Sequence, residues 1–311
     1  MKKIIGLGNC LVDVLIKLNN NGLLGELDLP SGSMQLIDIN RKETIDARLA
    51  GEEKDKVPGG SAANTIKALA AEGVEVGFIG KIADDNNGSF FADTLESVGV
   101  KTCLTRSPEG ATGVANTFIS PDGQRTFATY LGISGSLSPD DVTKEKLSGY
   151  DILYVEGYLV QNYDLMNSVM QTARELGMTI CLDLASYNIV EANLDFFRHM
   201  VEDYVDIVFA NEEESRALTG LAPAEALDWL NSRCRVAVVK LGANGSSACM
   251  GGDKTRVPAC KVDKVVDTTG AGDYFAAGFL CEFIKGRSLT QCLQKGSELS
   301  ARIIQVIGCP I

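Results

Sequence analysis

The chain has 311 residues, 45% hydrophobic and 23% charged, a composition that builds a folded protein with a large core rather than a disordered chain or a mini-protein. Its 29 Lys and Arg against 41 Asp and Glu leave a net charge of -12, which opposes binding to nucleic acid or to an anionic membrane surface. A single histidine, His199, excludes chemistry that needs several imidazoles, and nine scattered cysteines without a C-x-x-C pair read as the reduced thiols of a cytoplasmic protein.

Residues 3–7 read as a buried first strand. The opening Met1-Lys2-Lys3 imitates a secretory start, but Asn9 and Asp13 break the apolar run, and no uncharged apolar run in the chain reaches the ~20 residues of a membrane span. From about 16 to 57 the chain is rich in Gly, Asn, Asp and charge. A helical period over 61–71 and a strand over 74–79 follow, then a helix over 88–98. Residues 112–120 and 125–131 alternate apolar and polar around Pro121-Asp122-Gly123, which predicts a hairpin. Strands over 152–155, 179–182, 207–209 and 236–241 then alternate with helices over 165–176, 212–218 and 224–230, and two helices near 274–284 and 291–306 end the chain. Strand followed by helix, repeated, predicts an α/β fold with a mainly parallel sheet covered on both faces. The segments at about 16–57 and 110–131 break that rhythm and are read as one small β-sheet, a lid on a single unit spanning 1–311.

The most informative segment is Asp267-Thr268-Thr269-Gly270-Ala271-Gly272-Asp273, followed at once by the apolar helix from Tyr274. Small residues at a helix start let backbone N–H groups converge on an anion, and Asp273 in the first turn can accept a proton from an attacking hydroxyl. The same residues also suit an ordinary helix cap. No Gly-Lys-Ser/Thr follows, and Phe275 stands where a dinucleotide fingerprint needs its third glycine, so neither of those nucleotide motifs is present. A second cluster, Pro58-Gly59-Gly60-Ser61-Ala62-Ala63-Asn64, opens another helix, with Asn64 able to donate and accept toward hydroxyls. Asn9 and Asp13 lie just past the first strand, where parallel sheets bind ligands, and Asp13 suits a vicinal diol. Asn211-Glu212-Glu213-Glu214 places acids at a helix start, where Glu214 can hold a water of Mg²⁺. Lys240-Leu241-Gly242-Ala243-Asn244-Gly245 leaves backbone room for a nucleotide before a turn to 246–250. A serine-hydrolase alternative, with Ser61 as nucleophile and His199 as base, lacks the final glycine of its elbow.

With both glycine clusters in this order, the chain resembles the ribokinase-like, PfkB carbohydrate kinase superfamily over essentially its whole length. Several segments look most like adenosine kinases: Gly8-Asn9 with Asp13, Gln124-Arg125-Thr126, the run from Val205 to Glu212, and the ending Ile303-Ile304 to Gly308-Cys309. The resemblance implies a ribokinase-like three-layer sandwich and transfer of the ATP γ-phosphate to a primary hydroxyl of an adenosine-like nucleoside or, alternatively, of a free sugar; a non-catalytic nucleoside- or sugar-binding regulator that kept the fold is the other alternative. It implies Asp273 as base and the amides of Gly270, Ala271 and Gly272 as anion hole, with Arg125 reaching the transferred phosphate from the lid. Asn9, Asp13, Gly59, Gly60 and Asn64 would face the substrate. Asn211 and Glu214 would serve Mg²⁺ and phosphate, Lys240, Gly242 and Gly245 the nucleotide, and Asp267 with Thr269 a monovalent cation such as K⁺. Some relatives dimerise through the lid, so a homodimer is a further expectation.

Overall fold

The computed structural model describes residues 2–121 and 124–310. A nine-stranded sheet runs in the spatial order Asp253–Val257, Ser246–Met250, Val236–Lys240, Ile207–Asn211, Thr179–Asp183, Ile152–Glu156, Ile4–Leu7, Val76–Ile79 and Lys101–Thr102. Every pairing from Val236–Lys240 to Lys101–Thr102 is parallel, and only Ser246–Met250, paired antiparallel on both its sides, runs against the rest. The central strands are buried on both faces, which is why they appear in the sequence as continuous apolar runs instead of an alternation.

Helices Ser61–Ala71, Asn86–Ser97, Ala271–Phe283 and Leu289–Ile303 pack on one face of the sheet. Tyr163–Glu175, Leu194–Asp203, Glu212–Thr219 and Pro223–Asn231 cover the other. The result is the expected three-layer α/β sandwich. Capping is local where the sequence offers it: Asn211 and Glu214 close a reciprocal box on the helix Glu212–Thr219, and Ser288 and Gln291 do the same for Leu289–Ile303.

The smaller sheet runs Met34–Leu36, Arg125–Gly132, Thr112–Ile119, Leu11–Lys17, Asp55–Gly59. It begins at Leu11, earlier than the segment from 16 read in the sequence, because Leu11–Lys17 pairs in parallel with Thr112–Ile119, a partner about a hundred residues away. The turn expected at Pro121-Asp122-Gly123 lies, at Asp122 and Gly123, outside the described residues. Period-two alternation gives this sheet two unlike faces. Val14, Ile16, Val114, Phe118 and Ala128 pack with Ile45 and Leu49 of the helix Ile39–Arg48 and the segment behind it. Leu11, Asp13, Ala115, Phe127, Thr129 and Leu131 face the carboxyl ends of the main strands across a cavity.

Phe279 fixes the helix Ala271–Phe283 against the sheet: it is fully buried and meets Phe209 edge-on, centroids 5.4 Å apart at 86°. Phe279→Ala is expected to cost ~3–5 kcal/mol, read as a lower denaturant midpoint at unchanged slope.

Candidate active site

Ile152–Glu156, Thr179–Asp183, Ile207–Asn211 and Val236–Lys240 each end in a polar residue, and all four ends meet one cavity of about 920 Å³. This is where an open parallel sheet presents its helix starts to a ligand. Glu156, 1% exposed, organises the floor. Its Oε1 accepts from the Asn9 N–H at 2.9 Å and from Asn9 Nδ2 at 2.7 Å, and its Oε2 accepts from the Ala62 N–H at 2.8 Å. Burial pushes its carboxyl up to about 7 against those three donors. Gly60 stands between the two anchored segments at φ +93°, where a Cβ would come 2.4 Å from the Asn9 carbonyl oxygen, so only glycine fits.

The helix start fixed in this way presents two donors to Asp273. Ser61 Oγ donates to Asp273 Oδ1 at 2.7 Å, and Asn64 Nδ2 donates to Oδ2 at 3.0 Å. Asp273 sits in the first turn of Ala271–Phe283, whose cap Gly270 is left-handed at φ +73°. Burial raises its carboxyl to about 6, with the Asn64 and Ser61 hydrogen bonds opposing and Asp183 adding to the rise. At neutral pH it is therefore ionised, yet basic enough to take a proton. Asn64 Oδ1 is buried, has no protein partner and belongs to a residue lining the cavity, so it is an acceptor free for a ligand hydroxyl.

Opposite lies a cluster of charge. Lys240 Nζ donates to Asp183 Oδ2 at 3.0 Å, and a Cβ placed on Gly272 would lie 3.0 Å from the same nitrogen. An ammonium thus stands beside the N–H groups of Gly270, Ala271 and Gly272. Burial alone would pull the Lys240 ammonium down, but Asp183 and Glu214 outweigh it and hold it above the usual lysine range. Glu214 accepts from the Asn211 N–H and Nδ2, both at 2.7 Å, and burial raises it to about 7 while Lys240 opposes. Gly242 and Gly245 line the cavity beyond them. Among the described residues no group of three or more His, Cys, Asp or Glu forms a direct metal cage. Asp183 and Glu214, both on the cavity wall, fit instead an ion such as Mg²⁺ that keeps its waters and takes few protein ligands.

On the small sheet, Asp13 is held against Gly59, and burial raises its carboxyl to about 7 while Lys67 and Arg125 lower it. The register aligns Asp13 with Ala115, Ala115 with Thr129 and Thr129 with Leu36, so the carboxylate begins a row that is otherwise short or apolar.

Three expectations take a different form. Arg125, expected over the transferred phosphate, does not line the cavity; its guanidinium is ion-paired to Asp267, with both side chains buried. Asp267 also accepts from the Thr269 N–H at 2.8 Å and from the Gly308 N–H at 2.6 Å, so the Asp267 and Thr269 pair does not fit a monovalent cation. His199 lies outside the cavity with Nδ1 2.6 Å from Asp203, and Ser61 is bonded to a carboxylate instead, which removes the base of the hydrolase alternative. Tyr158, the one aromatic where adenosine kinases carry a pair, lines the site, and so do Glu156 and Asp183, which were not singled out in the sequence. The usable signal was there: Glu156 and Asp183 are acids closing buried strands, at the sheet edge where ligands sit.

Residues 31–311 match the family described as pfkB family carbohydrate kinase. The chain belongs to that family. Its reaction is accordingly the transfer of a phosphoryl group to an alcohol. The fold superposes on adenosine kinase from Sinorhizobium meliloti with a TM-score of 0.92 and 32% identity, covering 100% of this chain and 96% of that one. A probable sugar kinase from Rhizobium etli gives 0.91 and 30%, covering 99% and 94%. An ATP-dependent ribose-1-phosphate kinase of Halopiger xanaduensis is 27% identical over 266 residues, 85% of this chain and 86% of its own length.

Asp273→Asn is expected to lower kcat by ~10²–10⁴-fold, the range for losing a general base, with nucleotide affinity retained; steady-state kinetics and a nucleotide-binding isotherm separate the two. With Asp273 near 6 and Asp13 near 7, kcat/KM should fall as pH drops through that interval, more steeply than a single proton allows. Asp13→Asn should make that limb shallower by one proton while leaving the part that belongs to Asp273, near 6.

Proposed function

We propose that this pfkB family member is an Mg²⁺- and ATP-dependent nucleoside kinase. The observation that carries the reading is the cavity's small-sheet wall, where Leu11, Met34, Leu36, Ala115, Phe127 and Leu131 surround a single carboxylate, Asp13. A free sugar offers hydroxyls on every side and would leave that apolar surface unmatched. A nucleoside matches it in two parts, with the ribose diol on Asp13 and Asn64 and the flat base against the apolar wall and Tyr158. Leu159, the neighbour of Tyr158, turns into the core and leaves the wall to the small sheet. Among the described residues, the only basic ones lining the cavity are Lys240 and Lys261. Lys240 is committed beside the anion hole, and Lys261 follows the strand Asp253–Val257 at the opposite edge of the main sheet. Among the described residues no arginine or lysine lines the small-sheet end to receive a second phosphate, which argues against a sugar phosphate as acceptor.

In the mechanism, Asp273 takes the proton of the primary hydroxyl as its oxygen attacks the γ-phosphorus and the bond to the β-phosphate oxygen breaks, giving the nucleoside monophosphate and ADP. The Gly270–Gly272 amides and the Lys240 ammonium balance the charge on the moving group, a role the resemblance had suggested for Arg125. Glu214 and Asp183 would hold Mg²⁺ through its waters, and the ion would supply positive charge against the nucleotide phosphates. The small sheet over the cavity keeps out water, which would otherwise compete as acceptor.

The test is Mg²⁺-dependent ADP release across adenosine, other nucleosides, ribose, fructose and sugar phosphates. Release with a nucleoside, and a Phe127→Ser variant that raises KM far more than it lowers kcat, is the expected outcome. Preferred turnover of a free sugar would overturn the nucleoside assignment while leaving the Asp273 chemistry in place.

A further inference from the structure

The resemblance implies a monovalent cation at Asp267 and Thr269, beside the anion hole, and the structure fills that neighbourhood with the chain's own cations. Asp267 has a fully buried side chain whose oxygens accept from the N–H groups of Thr269 and Gly308 and meet the Arg125 guanidinium, itself 8% exposed. The Thr269 carbonyl faces the Cys309 thiol, S to O 3.7 Å. The terminal segment is held by a second buried cation: Lys67 Nζ donates to the Cys309 carbonyl at 2.6 Å and to the Pro58 carbonyl at 3.3 Å. An exchangeable K⁺ or Na⁺ needs carboxylate and carbonyl oxygens with free lone pairs to replace its hydration shell. Here those oxygens are engaged, and an added ion would sit against two positive charges in a poorly screened interior.

We infer that Arg125, assisted by Lys67, is a built-in replacement for the monovalent cation, so that this kinase needs neither K⁺ nor Na⁺. The inference rests on the family's phosphoryl transfer and on no particular acceptor. Arg125 is a positioning residue. It neutralises Asp267, whose hydrogen bond to the Thr269 N–H shapes the turn into Gly270 and so aims the anion-hole amides. Unlike a dissolved ion, it is fixed to the strand Arg125–Gly132, which also carries Phe127, Thr129 and Leu131 on the cavity wall. Docking of the small sheet and neutralisation of Asp267 therefore occur together.

The experiment measures turnover and thermal midpoint of the full chain in KCl, NaCl and choline chloride at equal ionic strength. The wild-type protein should give the same turnover and midpoint in all three salts. Arg125→Ala should lower both, with kcat down ~10–10²-fold as the amides lose alignment. KCl, and not choline chloride, should restore part of each loss, and Arg125→Lys should stay indifferent to the salt. A wild-type protein activated several-fold and raised in midpoint by K⁺ over choline overturns the inference, and so does an Arg125→Ala protein with wild-type turnover in choline. If Arg125→Ala does not fold, the wild-type comparison of salts still decides.

Discussion

Three stretches of backbone from distant parts of the sequence depend on one desolvated carboxylate. Glu156 takes hydrogen bonds from Asn9 and from the start of the helix Ser61–Ala71, and that helix in turn holds Asp273 through Ser61 and Asn64. Without an acceptor there, the Ala62 N–H and both Asn9 donors would be left in a nearly water-free interior, each at a cost of about 1–3 kcal/mol. Such a penalty gives the arrangement one register. It also explains why the second glycine of the pair must be a glycine: the anchored segments leave no volume between them.

The same desolvation sets the chemistry and opposes the fold. Glu156, Asp13, Glu214 and Asp273 are all pushed above the usual carboxylate range by burial. Where folded-state values exceed unfolded ones, the native state binds more protons, so these groups favour folding less as pH rises from the ordinary carboxylate range toward about 7. Asp273, raised to about 6, thus carries a cost in stability at neutral pH. Lys240 beside Asp183 and Glu214 offsets part of that cost and supplies the phosphate side of the site with positive charge on a protein of net charge -12.

What could be read from the sequence was what is local. The helix start at Gly270-Ala271-Gly272-Asp273, the Gly59-Gly60 pair and the Asn211 to Glu214 box each lie within a few residues, and it is their order along one chain that lifts them above ordinary helix caps. The layered sheet was equally legible, because parallel strands announce themselves as unbroken apolar runs. Glu156 and Asp183 escaped notice because an acid at a strand end looks like a solvated turn until its partners, up to 147 residues away, are known. Leu11–Lys17 is not legible as a strand, since its alternation is short and its partner Thr112–Ile119 remote. Arg125 carried a correct placement on the small sheet and an incorrect target: strand position says which face a side chain takes, and the charge of Asp267 decided where along that face it went.

The bond from Ser61 to Asp273 spans 212 residues of chain, and that from Asn9 to Glu156 spans 147. During synthesis the N-terminal half of this site emerges from the ribosome long before Asp273 exists, and Leu11–Lys17, which has Asp55–Gly59 as a near partner on one side, must wait for Thr112–Ile119 to cover its other edge. Contacts this remote make folding slow and leave apolar strands unpaired for longer. A nascent chain cut short of the helix Ala271–Phe283 would hold Ser61 and Asn64 without the carboxylate they bond, so the chemistry proposed for the site is acquired only once that helix has been made.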